Sequence, residues 1–357
     1  MKKWKIAVIG LAHVHAQILY HDFNRYLDEV EWLGCADMPP FHPEGPEKRM
    51  ALSMNVPDPP RLYADYRDLL AQGPDIALVC SDVRSHGEVV CELLSRGIHV
   101  VVEKPMAFSL EDGLAMCRAA RASGAALAVN WPVAWFGSFR KARELVAAGK
   151  IGRPLRCHYR SPATTGPFSY GQQEELSQHW WYQHSRGGGS IMDYAGYGCL
   201  LTTWFLGGMA KRVSGMRKNF LVPFSDVEDY SAFLLDFGDS VGFLEGSWST
   251  FNSGEIPSGP VIYGTEGTIV ADRHSSTVRV YRGASHGFTQ PDEEYDTVSG
   301  DNIGRNFLDH LGKGTPLFEL VEPAFNLKVQ AALDAGIRSC ESGRTEAVRN
   351  PFEEEPA

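Results

Sequence analysis

With 357 residues, 43% of them apolar, the chain has enough apolar surface for two cores and too little length for three. Its formal charge of −10 and the absence of any lysine or arginine run argue against nucleic acid and anionic membrane as main partners and favour a small-molecule ligand. Seven cysteines without a C-x-x-C pair read as reduced core residues of a cytoplasmic protein, and the first apolar run, "IAVIG", is too short for a signal peptide or a membrane span.

The first third alternates apolar, β-branched runs with helix-like segments. "KIAVIG" leads to a helix predicted over Ala16 to Leu27, then "VEWLGCAD", "DIALVCS", "HGEVVCELLSRG", "HVVVEKP", "LEDGLAMCRAARASG" and "AALAVNW". Strands apolar on both faces and separated by helices predict a parallel, doubly wound α/β domain over 1–130. Between Met38 and Pro60 lies a proline-rich connection that could line an adenine pocket, make a subunit contact, or simply run over the surface. From Trp131 the texture changes, and 131–357 is predicted as a second domain. A helix, "FRKARELVAAGKIG", precedes "LRCHYRS", "DYSAFLLDFGDSVGFLEGSWST", "PVIYGTEGTIVAD" and "STVRVYRG". These predict an antiparallel sheet of about six strands, one face of which is available to a neighbouring layer or subunit. A last helix, Pro323 to Ser342, which could pack back on the first domain, precedes the acidic tail "PFEEEPA". There are no internal repeats.

Four stretches carry candidate chemistry. In "VIGLAHVHA" the three positions of a dinucleotide-binding G-x-G-x-x-G turn hold Gly10, Ala12 and His15. Gly10 stands where the bend needs it, and the helix N-terminus still offers amides to a phosphate. His13 and His15 without a nearby acid or cysteine make a poor metal pair, and no metal is expected. Asp37 closes the second strand, where a carboxylate accepts ribose hydroxyls and repels a 2′-phosphate, favouring NAD over NADP; the alternative is ordinary turn chemistry.

Glu103 and Lys104 end an apolar strand, where ligands sit in open α/β sheets, so they are either functional or an ion pair closing the strand. A lysine there could exchange protons with a substrate hydroxyl. In "SRGGGSIMDYAGYGCLL" three glycines, Gly187 to Gly189, open a helix that sets Asp193 and Tyr197 a turn apart on one face; the competing reading is a plain core helix. "HWWYQHS" gathers His179, Trp180, Trp181, Tyr182 and His184, aromatic faces equally suited to a sugar ring and to core packing.

In order and spacing, "AVIGLAHVHA", "HVVVEKPMAF", "GGGSIMDYAGY", "DFGDSVGFLEGSW", "YGTEGTI" and "ALDAGIRSCESGR" resemble the glucose-fructose oxidoreductase / inositol dehydrogenase / rhizopine catabolism (Gfo/Idh/MocA) family over nearly the whole chain. The resemblance implies an N-terminal Rossmann dinucleotide-binding domain plus a C-terminal α/β domain with a large, mostly antiparallel open sheet, assembled as a homodimer or homotetramer. It implies NAD(P)-dependent hydride transfer to or from a secondary alcohol or ketone of a sugar, cyclitol or related polyol. Lys104, Asp193 and Tyr197 match catalytic positions, with Tyr197 standing where many members carry histidine. Gly10, Ala12, His13, Val14, Asp37, Ser81, His86, Glu103 and Lys104 fall at cofactor positions, and Trp131 and Trp180 join the catalytic three toward substrate. Two further readings stand beside this one: sugar chemistry without net redox change on a retained NAD, by elimination, glycoside cleavage or epimerisation, and a non-catalytic ligand sensor.

Overall fold

In strand β1 (Trp4–Ile9) the residues Ile6, Ala7, Val8 and Ile9 have no exposed surface at all. A strand loses water so completely only when both of its faces are covered, as in a parallel sheet flanked by helices. The computed structural model describes residues 3–39, 45–162, 176–251, 258–283 and 290–353. The centre of the proline-rich connection (40–44) and the end of the acidic tail (354–357) lie outside the described residues. Two compact units result: Met1–Trp131 with Gln172–Gly188 and Asp301–Leu327, and Pro132–Gly171 with Gly189–Gly300 and Lys328–Ala357.

The first unit is built on six parallel strands. β2 (Val30–Ala36), β3 (Leu62–Tyr63), β4 (Ile76–Val79), β5 (His99–Glu103) and β6 (Leu127–Asn130) join β1 in the order β3-β2-β1-β4-β5-β6. The order reverses between β1 and β4, and ligands of such sheets bind beyond the carboxyl ends of the strands at that reversal. The first helix, Ala16–Asn24, stops short of Leu27, because the Glu29 and Val30 amides both bond back to the Tyr26 carbonyl and turn the chain into β2. Helix Leu110–Ser123 begins at Ser109, whose hydroxyl accepts the Asp112 amide at 3.1 Å, and ends at Gly124 with φ +70°, as its sequence signals demand. Part of the proline-rich connection forms helix Gly45–Ser53, and the Ser53 hydroxyl donates to the Leu11 carbonyl of the first turn.

Two distant segments complete this unit. Trp131, 1% exposed, donates its indole N–H to Asn326 Oδ1 at 2.6 Å, and Arg305 donates to Glu29 at 3.1 Å.

The second unit carries nine strands, three more than the sequence alternation predicts. β7 (Pro154–Pro162), β8 (Arg212–Lys218), β9 (Tyr230–Asp236), β10 (Val241–Ser247), β11 (Val261–Gly264), β12 (Thr268–Ala271), β13 (Thr277–Tyr281), β14 (Glu293–Asp296) and β15 (Glu346–Ala347) run in the order β14-β13-β12-β11-β7-β10-β9-β8-β15. Every pairing is antiparallel except β7 with β10. The additional strands are β8, β14 and β15, edge or near-edge strands that are polar or only two residues long. β14 pairs with β13 along an antiparallel ladder, with Glu294 opposite Arg279 and 3.2 Å between their side chains. Alternation along β9 sorts the faces: Phe233 and Leu235 are buried and Leu234 between them is 50% exposed. Helix Gly196–Leu206 covers the buried face, where a Cβ on Gly198 would lie 2.4 Å from that of Leu244.

All seven cysteines are free, four of them buried. No helix of the described residues is long and apolar enough to cross a membrane.

Candidate active site

Glu103 and Asn130 end neighbouring strands in register, and the Asn130 amide donates to Glu103 Oε2 at 2.8 Å. The other carboxylate oxygen accepts His15 Nδ1–H at 2.7 Å, joining the phosphate turn to the end of β5. Glu103 is fully buried; burial works to raise its pKa, but His15, Lys104 and Asn130 prevail and hold the carboxyl below its usual value. Lys104 follows, 2% exposed, with a cis peptide bond to Pro105. His86 donates Nδ1–H to the Pro105 carbonyl at 3.1 Å, and burial lowers its pKa, so the ring is neutral at pH 7. Ser81 is buried beside the turn, and its neighbour Asp82 accepts from Arg186 Nε at 2.9 Å.

The first turn shows how one glycine suffices. Gly10 has φ +85°, and a Cβ there would lie 2.5 Å from the Ser81 nitrogen, so strand β4 leaves no room for a side chain. Ala12, at the second glycine position, is 5% exposed; its amide and that of His13 both donate to the Cys80 carbonyl, at 3.0 and 3.1 Å. Asp37 accepts the Leu11 amide through Oδ1 at 3.0 Å and is itself buried. The turn chemistry weighed for Asp37 is therefore present. Val14 and His15 are the half-buried residues of the turn.

Neither Trp131 nor Trp180 lies on an open surface. Trp131 spends its N–H on Asn326, and Trp180, 2% exposed, donates its own to the Ala12 carbonyl at 2.8 Å. Both rings are packed in the core of the first unit, with their N–H groups engaged. Trp181 stacks on Trp180 with centroids 4.5 Å apart and meets the His13 ring at 4.9 Å. Of the "HWWYQHS" aromatics, Trp180 and Trp181 thus pack against the phosphate turn.

Folding also supplies the acid that the two histidines lack in sequence. His13, His15 and Glu103 each place a possible metal-ligand atom within 4.8 Å of the other two. Within that group His13 Nδ1 accepts the His15 amide at 3.1 Å, and the His15 Nδ1–H is engaged by Glu103.

Asp193 and Tyr197 belong to the second unit. The three glycines do not open an α-helix directly: a π-helical turn, Ile191–Ala195, carries Asp193, and α-geometry starts only at Gly196, just before Tyr197. Asp193 Oδ2 accepts the indole N–H of Trp248 at 3.0 Å, and Trp248 is fully buried. Glu228 accepts the Ile191 amide at 2.8 Å and fills the space beside Gly189, where a Cβ would meet its Oε1 at 2.4 Å. Neither Trp248 nor Glu228 stands out in the sequence as a supporting residue; "GSW" at the end of β10 is the only hint of the first.

A reversed six-strand parallel sheet, a strand-turn-helix closed by Gly10, an acid at the tip of β2 and a buried Glu-Lys pair at the tip of β5 define an NAD-binding Rossmann unit. The profile described as "Oxidoreductase family, NAD-binding Rossmann fold" matches residues 4–131, and that described as "GFO/IDH/MocA C-terminal domain" matches 139–270. The chain belongs to the Gfo/Idh/MocA oxidoreductase family.

Among its relatives, scyllo-inositol 2-dehydrogenase (NAD(+)) of Bacillus subtilis is 23% identical over 57% of this chain and 57% of its own. The 2,7-anhydro-N-acetylneuraminate hydratase of Escherichia coli is 25% identical over 68% of this chain and 66% of its own. Matches to the curated relatives span as little as 24% of their length. The WlbA dehydrogenase from Bordetella pertussis, solved with NADH and UDP-GlcNAcA, shares the fold with a TM-score of 0.77 at 21% identity, over 98% of this chain and all of that one.

The turn's own residues fit a dinucleotide: Gly10 permits the bend, the Asp37 carboxylate closes β2 beside the turn, and the buried Nε2 of His13 has no partner among the described residues.

Proposed function

We propose that the protein is an NAD-dependent oxidoreductase that moves a hydride to or from a secondary alcohol or ketone of a sugar, cyclitol or related polyol. The observation that carries this reading is Lys104, a buried lysine at the carboxyl end of β5 beside a carboxylate whose two oxygens are already engaged by His15 and Asn130. That carboxylate is a nearby negative charge that offsets the buried ammonium at a position where sheets of this order bind ligand. NAD, when bound, supplies the hydride acceptor or donor at the nicotinamide ring.

The chain's residues do the rest. Lys104 holds the substrate oxygen through a donated hydrogen bond, Tyr197 takes the one hydroxyl proton on oxidation and returns it on reduction, and Asp193, fixed by Trp248, orients the ring through its hydroxyls. Gly10, Ala12, His13 and Val14 form the phosphate turn, Asp37 selects NAD over NADP, and Ser81, His86 and Glu103 line the cofactor side. The half-exposed sheet face bearing Leu234 and Met216 is where we place a second copy in a homodimer or homotetramer, in the cytoplasm.

The test is to identify the nucleotide that copurifies with the protein and to follow nicotinamide absorbance across a panel of polyols. A protein that carries no nucleotide and changes none would end the proposal.

A second reading draws on the roof of Trp180 and Trp181 over the turn, which suits a nucleotide that stays bound between turnovers. Such a protein would eliminate, cleave or epimerise a sugar without net redox change, and a hydratase stands among its relatives. Turnover that continues without added NAD distinguishes it.

A further inference from the structure

A G-x-G-x-x-G turn grips phosphate with backbone amides that its glycines leave open. In this turn much of that capacity is spent: the Ala12 and His13 amides donate to Cys80, and the Leu11 amide to Asp37. The His15 amide goes to His13 Nδ1 at 3.1 Å. That last bond has a chemical consequence. A ring nitrogen that accepts an amide hydrogen carries no proton of its own, so the proton of neutral His13 sits on Nε2. The ring is neutral: burial first, then the neighbouring His15, Lys104, His86 and His179, hold its pKa well below the usual value. His13 is 2% exposed, and Nε2 finds no acceptor among the described residues. A buried N–H left without an acceptor costs free energy unless a ligand completes it.

We infer that His13 is a phosphate-binding residue, its Nε2–H donating to the pyrophosphate of the bound dinucleotide in place of the amide hydrogen bonds that this turn gives to Cys80. His15 supports it twice over, fixing the tautomer through its amide and closing the turn against Glu103 through its ring. Lys104 and His179 provide basic groups near the imidazole that favour an anion there. The inference presupposes that a dinucleotide binds this turn, as proposed above.

The test is calorimetric titration of the nucleotide-free protein with NADH, and separately with adenosine, which lacks phosphate. His13→Phe removes the donor, and His13→Gln keeps an N–H near the Nε2 position. His13→Phe is expected to weaken NADH by about tenfold or more, the loss of one hydrogen bond to a charged acceptor, with adenosine unchanged and His13→Gln recovering most of the affinity. Imidazole 15N spectra of the unliganded protein are expected to show His13 protonated at Nε2. Equal NADH affinity in His13→Phe and wild type, an equal loss for adenosine, or a proton on Nδ1 would overturn the assignment and leave the functional reading standing. A wild-type protein with no affinity for NADH would overturn both.

Discussion

Glu228 is a buried carboxyl of the second unit whose charge state contributes to the pH dependence of stability. Burial raises its pKa to about 7 from an ordinary 4.5, against the Ile191 amide and Arg217, which work in the opposite direction. A group that holds its proton more tightly when folded favours the native state at low pH, and that advantage disappears as pH rises from the unfolded value through the folded one. Stability is therefore expected to decline between about pH 4.5 and pH 7, and the decline from this one residue is about 3 kcal/mol. Glu228→Gln keeps an oxygen for the Ile191 amide and removes the charge. In urea titrations the variant should match wild type near pH 4.5 and exceed it by up to about 3 kcal/mol near pH 8. An identical difference at the two pH values would refute the reasoning, since a purely steric or hydrogen-bonding effect has no reason to follow the proton.

Lys104→Met should fold, because the site is buried and the stems are alike, and should lose turnover by about a hundredfold or more, read from initial rates with whichever polyol proves active. Trp248→Phe deprives Asp193 of its 3.0 Å donor and should cost about 1–3 kcal/mol in thermal denaturation, with KM rising more than kcat falls. Gly10→Ala puts a methyl within 2.5 Å of the Ser81 nitrogen at a positive φ and should lose more than about 2 kcal/mol of stability, whereas Ala12→Gly should leave the melting temperature within a few degrees of wild type. Asp37→Ala is expected to weaken NAD binding and narrow the NAD-to-NADP affinity ratio in parallel titrations; an unchanged ratio would remove Asp37 from the ribose.

The sheet of the first unit could be read from residues such as Ile6 to Ile9 because double-sided burial leaves no polar residue in the run. Edge strands escaped for the opposite reason. "EEYD" in β14 has no apolar face, so its pairing with β13 leaves no local pattern in the sequence. The site divides in the same way. Glu103 and Lys104 were conspicuous because charge at the end of an apolar strand needs a reason. The partners that fix them were not: His15 lies 88 positions from Glu103, and Trp248 lies 55 from Asp193. Asn130 was within reach, since two adjacent parallel strands that end together bring their last residues side by side.

The route of the chain limits how the protein can be dissected. Trp131 relies on Asn326, and the carbonyl of Ala12 on Trp180, so an N-terminal truncation product ending at residue 131 would carry a bare indole and an uncovered nucleotide turn. Such a fragment should aggregate on expression, and swapping cofactor preference between homologues by exchanging N-terminal halves would fail unless both later segments were transplanted with it.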